Sequence, residues 1–252
     1  MSLDLSQLPS EGINPATREL SRLPTLQALQ LINDEDQKVA LAVREELPQI
    51  AAAIDSIAPK LRDGGRLIYI GAGTSGRLGV VDASECPPTF GVAPEMVQAL
   101  IAGGPSAVWK SREGYEDRYE NGEVELRAIK FSPADCLVGL AASGRTPYVL
   151  GALDYARQIG AFTAGISVNP GAEMKNRCDV FIAPLVGSEA IAGSSRMKAG
   201  TAQKLILNMI STGVMLQLGR IDGNLMTHLQ PSCEKLVERQ KRVAQELEKR
   251  GE

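Results

Sequence analysis

The sequence predicts an α/β fold, a doubly wound sandwich built on a parallel sheet. From residue 66 to residue 184 short apolar runs alternate with helical stretches, the order expected of βαβ units. Several of those runs are apolar almost throughout, without polar alternation, which suits strands covered on both faces. The first and third runs also end in loops rich in glycine and hydroxyl side chains, placed where open parallel sheets bind ligands.

Residues 1–24 are polar and interrupted by Pro9, Pro15 and Pro24; they are expected to form an arm that packs on the remainder without being a domain. Thr25 is expected to cap a helix carrying Leu26, Leu29 and Ile32. A longer helix is expected next, because Val39, Val43, Leu47, Ile50, Ile54, Ile57 and Leu61 recur every three or four residues. It should stop at the turn signal Asp63-Gly64-Gly65. Strands are expected at 67–70, 97–101, 137–141, 163–168 and 180–183. A helix over 197–218 carries Ile206, Ile210 and Val214, and a charged one over 232–250 carries only the narrow stripe Leu236, Val243 and Leu247. The sequence contains no repeat of solenoid period and no low-complexity tract.

Composition narrows the function. Among 252 residues, 27 Lys and Arg stand against 30 Asp and Glu, a formal net charge of −3, with 44% apolar residues, an ordinary globular makeup. That balance leaves no basic footprint for nucleic acid, and aromatics at 4% leave little for stacking bases. No stretch approaches the roughly 20 apolar residues of a membrane span. The N-terminus lacks the basic-then-apolar order of a signal peptide, so a cytoplasmic protein is expected. Cys86, Cys136, Cys178 and Cys233 lie far apart with no C-x-x-C pair, which favours buried thiols over a disulfide framework or a zinc site. His228 is the single histidine. A nucleophile–histidine centre would have to use it, and a metal hydrolase usually needs more than one imidazole. Neither metal nor cofactor is expected, and acid–base chemistry falls to carboxylates.

The loop after the first strand reads Gly71-Ala72-Gly73-Thr74-Ser75-Gly76-Arg77. Glycines let the backbone approach an anion, and N–H groups at a helix start are donors for phosphate; a tight turn with no ligand is the plain alternative. The loop spells G-x-G-x-x-G, but a nicotinamide site wants an acidic residue at the end of the next strand, about 20 residues on. That strand ends Leu100-Ile101-Ala102-Gly103-Gly104-Pro105, with no carboxylate. A Walker A loop fails too, since Arg77-Leu78 stand where Lys and Ser/Thr belong. A phosphomonoester held by backbone amides with Thr74 and Ser75 fits better. A second such loop, Ala141-Ala142-Ser143-Gly144-Arg145-Thr146-Pro147, follows the third strand, with Thr146 or Ser143 able to cap a helix opened by Pro147. Together the two loops could grip a phosphate from both sides. A third run, Gly193-Ser194-Ser195-Arg196-Met197-Lys198, is either a further polar wall or a cap with a solvated basic turn.

Two carboxylates complete the inventory. Glu85 precedes Cys86-Pro87-Pro88, where two prolines should end the helix begun at the first loop. A carboxylate at a helix C-terminus sits in negative potential, which favours its protonated form and suits a general acid. Glu116 lies in the polar run Glu113-Gly114-Tyr115-Glu116-Asp117, where local spacing alone reads as a solvated face.

At these residues the sequence resembles the N-acetylmuramic acid 6-phosphate etherases, a family of the sugar isomerase domain superfamily. The matching stretches are Ile32-Asn33-Asp34-Glu35-Asp36, the first loop through Gly79, Asp82-Ala83-Ser84-Glu85-Cys86-Pro87-Pro88-Thr89, Leu100-Ile101-Ala102-Gly103-Gly104, residues 141–148, residues 193–204 and Asn224-Leu225-Met226. The likeness runs from about Glu11 to Met226. It departs where Thr227-His228 and Ser232-Cys233 replace the family's Val-Asp and Thr-Asn, and family members carry a further small helical module.

The resemblance implies a three-layer sandwich with a five-stranded parallel sheet, flanked by N- and C-terminal helices, and a homodimer. It implies an arm-and-helix region over 1–62, a sugar isomerase (phosphosugar-binding) domain over 63–220 and a C-terminal helical segment over 221–252. Phosphate would be held by Gly73, Thr74, Ser75, Ser143, Gly144, Arg145 and Thr146, with Ser194, Ser195 and Lys198 as further substrate-binding residues. Arg77, Arg145 and Lys198 are candidates for the lactyl carboxylate. The implied reaction cleaves the D-lactyl ether of N-acetylmuramate 6-phosphate to N-acetylglucosamine 6-phosphate and D-lactate, with Glu85 as acid and Glu116 as base. Two rivals share the fold. An aldose–ketose isomerase needs no acid at C3 and leaves the Glu85 segment unexplained. A non-catalytic sugar-phosphate regulator would not require both glutamates.

Overall fold

The computed structural model describes residues 8–110, 112, 114–231 and 233–250. The first seven residues of the expected arm, Ser111 and Glu113 near Glu116, the Ser232 departure and the last two residues lie outside the described residues. Strands β1 (Leu67–Gly71), β2 (Val97–Ile101), β3 (Cys136–Leu140), β4 (Phe162–Ile166) and β5 (Val180–Ile182) form one sheet in the order β2-β1-β3-β4-β5. Every pairing is parallel, and each strand lies within two residues of its expected limits. The helices are α1 (Thr25–Glu45), α2 (Leu47–Arg62), α3 (Gly73–Phe90), α4 (Tyr119–Ala128), α5 (Pro147–Gln158), α6 (Lys198–Gln217) and α7 (Glu234–Arg250).

Alternation along the strands divides the core in two. Leu67, Tyr69, Cys136, Val138 and Leu140 join α1, α2, α3 and α6 on one face. Ile68, Ile70 and Leu137 join α4 and α5 on the other. Central strands β1 and β3 are buried at every position, which is why they read as continuous apolar runs.

Three expectations need correction. The single helix expected through Val39 and Leu61 is two. The Glu46 N–H closes α1 on the Val43 carbonyl, and Pro48 opens α2; proline has no N–H to continue a ladder but fits a first turn. Thr25 does not cap α1: it is the first helical residue, after Pro24, and Leu26 and Leu29 are exposed rather than core-facing. Finally, α3 does not stop at its prolines. Pro87 and Pro88 lie in its last turn, and Gly91, at φ 63°, caps it with an N–H to the Pro87 carbonyl. Proline's fixed φ is compatible with a helix; the two residues lose their N–H donors, and their rings crowd the carbonyls one turn back.

Candidate functional site

The chain leaves β1 toward β2 and leaves β3 toward β4, on opposite sides of two adjacent strands. Such a divergence opens a crevice at the carboxyl ends of the strands. Its walls are the two hydroxyl-rich loops, 72–75 and 141–146.

The first loop turns sharply into α3. A Cβ on Gly71 would stand 2.8 Å from the Gly76 nitrogen, so the loop closes on itself tightly. Gly73 has φ 52°, and a Cβ there would meet nothing within 4 Å, leaving open space over the first turn. The first N–H groups of α3 have no intrahelical acceptor and carry the positive end of the helix dipole. Thr74 is half-buried at this end. Ser75 is buried, and its hydroxyl donates to Gln203 Oε1 at 2.9 Å. The loop therefore offers a ligand its backbone N–H groups, with the Ser75 hydroxyl turned inward. Gln203 Nε2 is buried and has no hydrogen-bond partner among the described residues.

In the second loop the Ser143 hydroxyl accepts the Arg145 N–H at 3.3 Å, a local turn rather than the helix cap expected of it. Thr146 occupies the N-cap position of α5 without a side-chain cap bond. Gly144, at φ 67°, packs against Ala172 and Ser167. The Tyr148 N–H donates to the Glu116 carbonyl at 3.0 Å, which ties the Glu116 segment to the first turn of α5. Arg77 anchors the other end of that segment, its guanidinium donating to the Val108 and Ala107 carbonyls, both at 2.8 Å. Glu116 itself is exposed, and its backbone lies beside the second loop.

The third run reaches the same crevice because Gly200 lets α6 approach: a Cβ there would lie 3.4 Å from Thr74 Cγ2. Ser194 and Ser195 are half-buried in the turn before α6. Lys198 is buried, and its ammonium pairs with Glu35 of α1 at 2.7 Å. Burial would raise the Glu35 carboxyl, but hydrogen bonds from Lys198, Lys38 and Asn14 outweigh it and hold the group at about 2. Glu189 accepts the Lys198 and Ala199 N–H groups at 2.8 and 3.0 Å, so the start of α6 already has its anion. Burial raises the Glu189 carboxyl, and these N–H bonds oppose the rise. The arm closes this side. Asn169 receives the Ser10 N–H at 3.3 Å, while Thr17 donates to the Ala190 carbonyl at 2.7 Å.

Glu85 is exposed on α3, twelve residues beyond Gly73, a rise of roughly 18 Å along the axis. It stands before the last turn, where the negative end of the helix acts. Nearby Asp82 accepts Tyr69 (2.9 Å), Asn208 (2.6 Å) and Ser211 (3.1 Å), fastening α3 to β1 and α6. Burial, with the Asp82 charge beside it, pushes the Tyr69 phenol up; burial likewise pushes the Cys86 thiol up to about 12. Glu35, Glu189, Asp82 and Gln203 went unread as site-forming residues. For Glu35 and Asp82 the local signal was a charged residue on a helix that also carries buried apolar positions.

Comparison with known proteins bears on the family and the fold. A family model described as the glucokinase regulatory protein N-terminal SIS domain matches residues 49–157. The chain is 56% identical over 243 residues to an N-acetylmuramic acid 6-phosphate etherase of Photorhabdus laumondii, covering 96% of this chain and 81% of that protein. It is 52% identical to N-acetylmuramic acid 6-phosphate etherase 1 of Vibrio cholerae, covering 98% and 82%. Among solved structures it is similar to a phosphoheptose isomerase from Francisella tularensis, with TM-score 0.56 and 15% identity over 77% of this chain and all of that one.

Proposed function

The chain belongs to the N-acetylmuramic acid 6-phosphate etherase family, and on that premise we propose how its own residues cleave the ether of this sugar phosphate. The phosphoryl group is held in the crevice between β1 and β3, by the N–H groups that open α3 and by the 143–146 loop. Phosphate is remote from the bond that breaks, so its binding energy can be used to hold the sugar in a reactive geometry.

In the open-chain sugar the C1 aldehyde acidifies the C2 proton, and the lactyl ether on C3 is a β leaving group. Glu116 takes the C2 proton, the C2–H electron pair becomes the C2=C3 double bond, and the C3–O pair leaves with the lactate oxygen. That oxygen takes its proton from Glu85. Water then adds to C3 and a proton returns to C2, so the products are the 6-phosphorylated N-acetylglucosamine and D-lactate. Each positioned proton transfer is typically worth about 10²–10⁴-fold in rate.

The observation that carries this reading is 52–56% identity to etherases over 96–98% of the chain, with the quoted glutamate and loop motifs inside the matched span. The test is D-lactate release from N-acetylmuramic acid 6-phosphate by the purified protein in ¹⁸O-labelled heavy water. The account expects deuterium at C2 and the label on the C3 hydroxyl of the sugar. Label in the lactate instead would mean attack on the lactyl carbon and would sink the elimination course.

A further inference from the structure

We propose that Gln203 is a positioning residue for the Ser75 hydroxyl. Its side-chain amide turns over when a phosphoryl group binds, exchanging the hydrogen bond it accepts from Ser75 for one it donates, and so frees the Ser75 proton for a phosphoryl oxygen. The proposal rests on the phosphate crevice argued above and adds to it a residue that does not itself touch the ligand.

An unpaired buried donor carries the argument. Gln203 lies on α6 at 1% exposure; its Oε1 accepts the Ser75 hydroxyl at 2.9 Å, while its Nε2 has no hydrogen-bond partner among the described residues. A buried polar group left unsatisfied costs free energy, and such groups are few in folded proteins. This one sits against the first turn of α3, where N–H groups lack intrahelical acceptors and Gly73 leaves open space. With the amide in this orientation the Ser75 proton is committed to the interior and cannot serve a ligand.

A half-turn of the amide changes both. The terminal torsion of glutamine is broad and roughly two-fold, so its oxygen and nitrogen can exchange places without moving the rest of the side chain. Turned over, Nε2 donates to the Ser75 oxygen, and a hydroxyl oxygen can accept that bond while its own proton goes elsewhere. A carbonyl oxygen is then left inside in place of an N–H pair, and under-satisfied carbonyls are the less rare of the two. The proton is drawn outward by an anionic acceptor, because bonds to charged groups are the stronger ones; a phosphoryl oxygen is such an acceptor. The helices themselves are pinned on either side of the pair. One turn before Gln203, a Cβ on Gly200 would stand 3.4 Å from Thr74 Cγ2, and further along α6 Asn208 and Ser211 both donate to Asp82 of α3. Side-chain torsions are therefore the parts left to move.

The experiment measures KM for D-lactate release by the full chain carrying Gln203→Glu, Gln203→Met, Ser75→Ala, or Ser75→Ala with Gln203→Glu. An ionised carboxylate at 203 can only accept, so Gln203→Glu holds the Ser75 proton inward and should raise KM about tenfold or more, the loss of one bond to a charged group. Adding Ser75→Ala should raise KM no further, because the hydroxyl is already withheld. Gln203→Met has a similar shape but no acceptor to hold the proton, and should keep KM within about threefold of the natural value. A natural KM in Gln203→Glu overturns the proposal. So does a further tenfold rise on adding Ser75→Ala, which would make the effect charge repulsion alone, and so does a Gln203→Met as impaired as Gln203→Glu, which would make it packing. If Ser75→Ala by itself keeps the natural KM, the exchange falls while binding by the backbone N–H groups stands. If the natural protein releases no D-lactate, the reading beneath the proposal falls and takes the exchange with it. Since a buried carboxylate can cost the fold, a second arm uses the natural protein. The side-chain N–H signals of Gln203 in the nitrogen-15 spectrum, identified by their loss in Gln203→Met, are followed as N-acetylglucosamine 6-phosphate is added. One N–H should move downfield as it takes up its bond to Ser75; signals unmoved at saturation overturn the proposal.

Discussion

Two pairs of glutamates contrast within one chain. Glu35 and Glu189 are buried, and every charge is matched: one by Lys198 and Lys38, the other by two N–H groups of α6. Glu85 and Glu116 are exposed, on α3 and beside α5. A buried carboxylate has to be paired or hydrogen-bonded to persist, and these two are engaged by contacts inside the fold. The first pair helps fix where the crevice walls stand; the second is exposed, and it is the pair proposed to meet the substrate.

The contrast is broken most forcefully by neutralising each pair in turn. Glu116→Gln or Glu85→Gln should slow lactate release by about 10³-fold or more while leaving the urea midpoint unchanged; natural rates would end the assignment. Glu35→Gln should do the reverse. It strands the Lys198 ammonium in the core, which costs about 3–5 kcal/mol of stability, measured by equilibrium urea unfolding. A loss below about 1 kcal/mol, the worth of an exposed pair, would mean that the pair does not hold α1 to α6.

Acid sharpens the same point. The Glu35 carboxyl is lowered from 4.5 to about 2 in the fold, so the folded state holds its proton less tightly than the unfolded chain. Its contribution is therefore fully present above pH 4.5 and is lost as pH falls toward 2, by on the order of 3 kcal/mol. Glu35→Gln should flatten that part of the stability–pH curve. A variant that keeps the slope would place its origin elsewhere.

The smallest effect compares the two loops. Ser143→Ala should raise KM about tenfold, the loss of one hydrogen bond to a charged group, without changing stability. Ser75→Ala should also lower stability by about 1–2 kcal/mol, because it leaves Gln203 with both ends of its amide unpaired. Equal melting temperatures for the two variants would contradict the inward bond of Ser75.

Much of the frame was legible because it is written locally. Central strands β1 and β3 announce themselves as unbroken apolar runs, and the glycines and prolines around them mark the loops. Signals with two meanings misled. Pro48 and the Pro87-Pro88 pair look alike in sequence, yet one opens a helix and the others sit in the last turn of another. Reading the latter as a stop put Glu85 at a helix end, whereas α3 runs on to Phe90. The Glu35–Lys198 pair could not be read at all, since its members are 163 residues apart and meet only after the sheet forms. Glu116 carries no local signal beyond its family motif; what distinguishes it is the Tyr148 N–H that draws its backbone to α5.

The most direct measurement is a crystal structure of the protein with bound N-acetylglucosamine 6-phosphate. The account predicts the phosphoryl oxygens within hydrogen-bond distance of the N–H groups of Thr74 and Ser75 and of the 143–146 loop, with the Glu116 carboxylate beside C2. A phosphoryl group lodged outside the β1–β3 crevice would contradict it.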